Sequence, residues 1–268
     1  MAATKSDTIT EEEISRLKKF IAEVIGTYFV VFAGCGSVAV NKIYGEVTFP
    51  GVCVTWGLIV MVMNYSVGHI SGAHFNPAVT ITFAIFRRFP SLEVPVYIAA
   101  QLMGSILASG TLALLFEITP KAYFGTVPVG SNAQSLVLEI IISFLLMFVI
   151  SGVSTDNRAI GEMAGIAVGM TILLNVFVAG RISGASMNPA RSIGPAIVKH
   201  VYKGLWILGY FEECYMRKLT CVLSRIRICI LYSLSIDFDF SDVGLPVSGT
   251  IRILPLDCLN LTAKWLED

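Results

Sequence analysis

Charge is what this sequence has least of. Only 14% of its 268 residues are Asp, Glu, Lys or Arg, where soluble domains carry about a quarter. That is too little to cover a globular surface. The balance is also neutral, 19 basic against 19 acidic side chains, which excludes a strongly charged partner such as nucleic acid. The six cysteines form no CxxC or Cys/His metal spacing. Cys35 and Cys53 therefore read as buried apolar packing, and no metal, cofactor or catalytic nucleophile–base set is expected. The first segment, MAATKSDTITEEEISRLKKF, lacks the apolar core and cleavage pattern of a signal peptide. In place of charge stand long apolar runs. The mean hydropathy is +0.75, and 40 uncharged residues separate Glu46 from Arg87, with 23 more between Glu93 and Glu117. A membrane helix needs roughly 20, so the chain reads as an all-α, polytopic membrane protein.

The runs divide the chain into parts. Residues 1–17 read as a cytosolic arm and 18–116 as a first repeat of three spans plus a short helix. Residues 117–135 read as a connecting loop, and 136–206 as a second repeat of two spans plus a short helix. Residues 207–268 form a tail of different character. The spans fall at about Phe20–Val40, Thr48–Val67, within Val94–Phe116, at about Leu136–Val153 and at about Met163–Gly180. AEVIGTYFVVF from Ala22 lines up with LEIIISFLLMF from Leu138, each with a carboxylate in second place, Glu23 and Glu139. GHISGAHFNPAV from Gly68 lines up with GRISGASMNPAR from Gly180. Each half thus opens with a Glu-bearing span, adds a second span and then dips into a helix too short to cross. An odd number of spans per half sets the halves in opposite orientations, the inverted-repeat logic of transport proteins. Lys5, Arg16, Lys18, Lys19, Arg87 and Arg88 mark the cytosolic side, with the N-terminus among them.

Asn76-Pro77-Ala78 and Asn188-Pro189-Ala190 are helix starts, with Asn as cap and Pro at the first helical position. Short half-helices must line a cavity or be buried in protein. Opposed half-helices bring two positive dipole ends together near the midplane. Each Asn oxygen is expected to cap its own helix and to leave its NH₂ group free to donate to a passing solute. The lead-ins Gly72-Ala73-His74 and Gly184-Ala185-Ser186 suit extended backbone whose carbonyls line a narrow path. Arg191, three residues after Asn188, is a functional-site candidate as an intramembrane arginine. Glu23 and Glu139 are expected to accept hydrogen bonds from the dipping loops; a proton relay is the alternative.

These boxes, the Arg after the second and the two Glu-bearing spans resemble the aquaporin (major intrinsic protein) family. AEVIGTYFVVFAGCGSVAVNKIYG, SVGHISGAHFNPAVTITFAIFRRFP and SGASMNPARSIGPA resemble its plant nodulin-like branch. The resemblance implies an aquaporin fold with two half-helices, a homotetramer in the lipid bilayer, and no enzymatic activity. It also implies a four-residue constriction at Trp56, Val176, Ala185 and Arg191. Such a slot fits passive passage of water, glycerol-sized solutes, ammonia, lactic acid or metalloid acids, with protons and ions excluded. The resemblance stops at about Trp206. A sixth span is expected after Lys203, yet the longest uncharged runs beyond it are nine residues. The rival expectation is therefore a truncated, non-conducting membrane protein that at most assembles with intact relatives. Arg181 is a second departure, an extra cation expected close to Arg191.

Overall fold

The first helix starts where the chain offers a cap. Thr10 accepts from the Glu13 backbone N–H and the Glu13 carboxylate reaches back to the Thr10 N–H, the reciprocal arrangement that fixes a helix N-terminus. In the computed structural model, which describes residues 10–117, 119–155 and 161–205, α1 runs over Glu11–Tyr44. It ends on Gly45, left-handed at φ 79°, the backbone conformation glycine adopts without penalty. The helix therefore takes in much of the expected arm, and Arg16, Lys18 and Lys19 sit on its first turns.

Six further α-helices follow among the described residues: α2 (Thr48–Ser71), α3 (Pro77–Ile85), α4 (Val94–Leu115), α5 (Asn132–Thr155), α6 (Ala164–Ala179) and α7 (Pro189–Lys199). Five segments are long and apolar enough to cross a membrane, those built on α1, α2, α4, α5 and α6. The helices α3 and α7 have nine and eleven residues, half a bilayer each at 1.5 Å per residue. α5 begins inside the stretch expected to be loop, because Asn132 and its neighbours continue the helix past the apolar run. The expected loss of a sixth span concerns residues beyond Leu205, which lie outside the described residues.

α1 packs on α2 and α4, α2 on α6, α5 on α6, and the half-helix α7 on α4. Small residues set the closest approaches, as expected where helices associate in lipid. A Cβ on Gly57 of α2 would stand 2.7 Å from the Gly169 carbonyl oxygen, and one on Gly169 of α6 would stand 2.6 Å from that of Gly57. Backbone meets backbone there, and nothing flexible can yield. Gly57→Val is expected to push α2 and α6 apart at a cost of about 1–3 kcal/mol, the usual range for overpacking. The check is a lower unfolding midpoint in detergent than for Ala substitution at the exposed Ser66.

Candidate functional site

The two dipping loops share one backbone. Gly72 and Gly184 have φ of 87° and 92°, Ala73 and Ala185 of 53° and 46°, Phe75 and Met187 of 49° and 51°. Left-handed non-glycine residues are uncommon and cost about 1–3 kcal/mol each, so the surroundings must hold them in place. Two buried carboxylates do. Glu23 Oε1 accepts from Ser71 Oγ (2.7 Å) and the His74 N–H (3.0 Å). Its Oε2 accepts from the Phe75 N–H and from Gln101 Nε2, both at 2.8 Å. Glu139 repeats the pattern: Oε1 accepts from Ser183 Oγ (2.5 Å) and the Ser186 N–H (3.0 Å), Oε2 from the Met187 N–H (3.0 Å). The loop N–H groups and Gln101 Nε2 can only donate, so both carboxylates are placed to accept.

So positioned, each loop delivers an Asn to the start of its half-helix. Asn76 Oδ1 accepts from the Ala78 N–H at 2.9 Å, and Asn188 Oδ1 from the Arg191 N–H at 3.3 Å. The carboxamide NH₂ groups are not left wholly free. Asn76 Nδ2 donates to the Met187 carbonyl (2.6 Å) and Asn188 Nδ2 to the Phe75 carbonyl (2.8 Å). One N–H of each thus ties a half-helix to the opposite loop, because Phe75 and Met187 turn their carbonyls toward the junction. Each NH₂ carries a second N–H beyond the one used in that bond.

A cavity of about 60 Å³ opens at this junction, with Asn76, Asn188, His74, Met187, Trp56 and Arg191 in its walls. Toward the α3 C-terminus it abuts a larger space of about 500 Å³ that reaches Arg88 and Phe83; the two share Ala73, His74, Val79, Ile150 and Val168. Gly72, Ala73, His74 and Ser186 line these spaces, whereas Gly184, Ala185 and Val176 are not among the described walls. His74 Nδ1 lies 3.0 Å from Thr80 Oγ1, and its ring packs among Phe83, Phe89 and Tyr97.

Arg191 and Trp56 meet at the other end. The guanidinium carbon stands 3.8 Å from the centre of the indole, a stacking geometry favourable to arginine. Nη2 donates to the Gly184 carbonyl at 3.0 Å, and Nη1 to those of Ala185 and Ser186. The fork and its charge are thus held by three loop carbonyls, while only 7% of the residue is exposed. Trp56 is seated by a missing side chain: a Cβ on Gly34 would stand 2.4 Å from the indole ring. Trp56 Nε1 is buried and has no acceptor among the described residues. Val176 and Ala185 are buried at 3% and 0% exposure; Ala185 contributes its carbonyl to Arg191. Arg181 stacks on Phe49, 4.8 Å from its ring centre.

Several supporting residues escape a reading of motifs. Ser71 and Ser183 stand inside the repeated phrase, and that repetition was their signal. Gln101 bridges Glu23 and Thr80; a lone amide in an apolar span is the kind of cue that could have exposed it. Tyr97 Oη donates to the Ser71 carbonyl at 2.8 Å, and no local pattern announces it.

Comparison with known proteins finds relatives that cover most of the chain. The family model described as "Major intrinsic protein" matches residues 10–210. The chain is 84% identical to the "Probable aquaporin NIP-type" of Nicotiana alata over 191 residues, 71% of either chain. It is 58% identical to Nodulin-26 of Glycine max over 204 residues, 76% of this chain and 74% of that one. In three dimensions it resembles the X-ray structure of the aquaglyceroporin from Plasmodium falciparum, with a TM-score of 0.68 at 24% identity, covering 78% of this chain and 98% of that one.

Proposed function

The chain belongs to the major intrinsic protein family, close to its plant NIP-type aquaporins, and from that premise we propose a passive channel for water and glycerol-sized uncharged solutes. It is a membrane channel of the aquaporin kind and not an enzyme. The observation that carries the solute reading is the cavity between the boxes and the Arg191–Trp56 contact. Its walls combine apolar Val79, Ile172 and Leu146 with the Asn76 and Asn188 amides, and end on the stacked Trp56 and Arg191. A polyol has carbon on one edge and hydroxyls on the other, and it fits such walls in file. Cations and protons meet two helix N-termini and a guanidinium, a barrier of the type found in aquaporin pores.

Orientation follows from charge. Lys19 of α1 pairs with Glu93 at 3.2 Å, which brings the start of α1 and the start of α4 to the same end as Arg87 and Arg88. By the positive-inside preference this end, with the N-terminus, is cytosolic, and Arg191 stands nearer the outer mouth. Apolar side chains exposed along α1, α2, α4, α5 and α6, such as Phe29, Leu58 and Leu107, are available to lipid and to the adjacent subunits of a homotetramer.

The test is osmotic. Proteoliposomes holding the full chain are expected to shrink faster than empty vesicles in a sucrose step and to re-swell faster in glycerol. Rates equal to empty vesicles would favour the non-conducting, hetero-assembling alternative.

A further inference from the structure

Each dipping loop carries a polar side chain locked to a hydroxyl six residues on, and in each half a third group completes the lock. In the first half His74 meets Thr80, and Gln101 of α4 donates to Thr80 Oγ1 at 2.9 Å. In the second half Ser186 Oγ shares a 2.6 Å hydrogen bond with Ser192 Oγ, and Ser192 donates to Thr126 Oγ1 at 3.2 Å. Thr126 does not belong to a span. It lies in the connection between α4 and α5, yet is only 8% exposed.

That connection clasps the second loop at further points. The N–H groups of Val129 and Gly130 both donate to the Ile182 carbonyl, at 2.8 and 3.2 Å. The Thr126 methyl occupies the space a Gly184 Cβ would need, 2.5 Å from its ideal position. Gly184 is the residue whose carbonyl receives Arg191 Nη2. One threonine thus reaches Ser186 through its hydroxyl by way of Ser192, and lies against Gly184 through its methyl. Between those two contacts run the three carbonyls that hold the guanidinium.

We propose that Thr126 is a positioning residue for selectivity: the connection between the two repeats sets the Arg191 guanidinium through Ser192, Ser186 and Gly184. This rests on the reading of Arg191 as a selective group in the channel. It assigns control of the pore to a segment outside the repeated motifs.

The experiment compares wild type, Thr126→Val, Thr126→Ser, Arg191→Val and the Thr126→Val/Arg191→Val pair in proteoliposomes. It reads the glycerol-to-water permeability ratio, and deuterium exchange of the segment around 182–191. Thr126→Val keeps the bulk and removes the hydroxyl. It is expected to shift the ratio about threefold, the scale of one neutral hydrogen bond, and to speed exchange in the loop. Thr126→Ser keeps the hydroxyl and is expected to restore most of the ratio. On the Arg191→Val background Thr126→Val is expected to shift the ratio no further, because a residue acting through Arg191 is coupled to it. An unchanged ratio in Thr126→Val overturns the proposal, as does a full additional shift in the pair or a shift without faster exchange. Should the wild type itself conduct no better than empty vesicles, the channel reading fails. Exchange then decides separately whether Thr126 clasps the loop, and unchanged exchange overturns that as well.

Discussion

Arg191→Val is expected to make the pore leak protons and small cations, and to admit glycerol faster. The guanidinium carries the positive side-chain charge in the cavity wall and donates to the carbonyls of Gly184, Ala185 and Ser186. Without it those oxygens lose their donors and become a partial ring of acceptors, the kind of lining that favours cations. The change is thus double: a repulsive charge disappears and attractive dipoles are exposed. A barrier lower by about 1.4 kcal/mol is a tenfold flux, and one charge across 4 Å is worth about 4 kcal/mol in a medium of intermediate polarity. Proton flux into pyranine-loaded proteoliposomes should therefore rise at least about tenfold. Width changes too, because Arg191 stands 3.8 Å from the Trp56 ring centre and valine withdraws from that contact. Arg191→Lys separates the two effects. It keeps the charge but loses the planar fork, so its proton leak should stay near wild type while its solute selectivity shifts. A valine variant as proton-tight as wild type would refute the role given to the charge.

Much of this site was legible because the chain writes it twice. The repeated phrase contains the caps Asn76 and Asn188, the hydroxyls Ser71 and Ser183 and the glycines that start each left-handed turn. The aligned carboxylates Glu23 and Glu139 announced what the loops would hang from. The spans were legible in position and less so at their ends. Hydropathy marks where lipid is, whereas α1 continues into water because Thr10 and Glu13 cap it. Contacts between unlike elements were beyond reach. Nothing local says that Gly34 of α1 makes room for Trp56 of α2. Nothing local says either that Thr126, in a Pro/Gly-rich connection, ends beneath Gly184. The bonds made by the side-chain NH₂ groups were beyond reach for the same reason: their acceptors, Met187 and Phe75, each belong to the other half.

Glu139→Gln and Glu23→Gln should part company, although the two carboxylates are related by the repeat. An amide can accept at one oxygen only, and its NH₂ then confronts groups that are themselves donors. In Glu139→Gln either the Ser186 N–H or the Met187 N–H loses its acceptor. Hydrogen bonds to a charged group contribute about 1.5–3 kcal/mol each, and a buried donor left unmade costs about 1–3 kcal/mol. A loss of about 3 kcal/mol in stability is therefore expected, enough to lower the yield of folded protein in detergent. Glu23→Gln should cost as much or more, since four donors converge on it. The difference lies in what each loop carries. The Glu139 loop supplies the three carbonyls that hold Arg191, so its loosening should also blur glycerol-to-water selectivity. The Glu23 loop supplies none of them, and the surviving Glu23→Gln protein should keep its ratio. A relay would behave otherwise. If Glu23 passed protons through Gln101 and Thr80 to His74, its amide variant would fold normally and differ in proton flux alone. The backbone N–H groups that converge on each carboxylate argue for an anchor, and the pair of variants, read by both stability and selectivity, distinguishes the two.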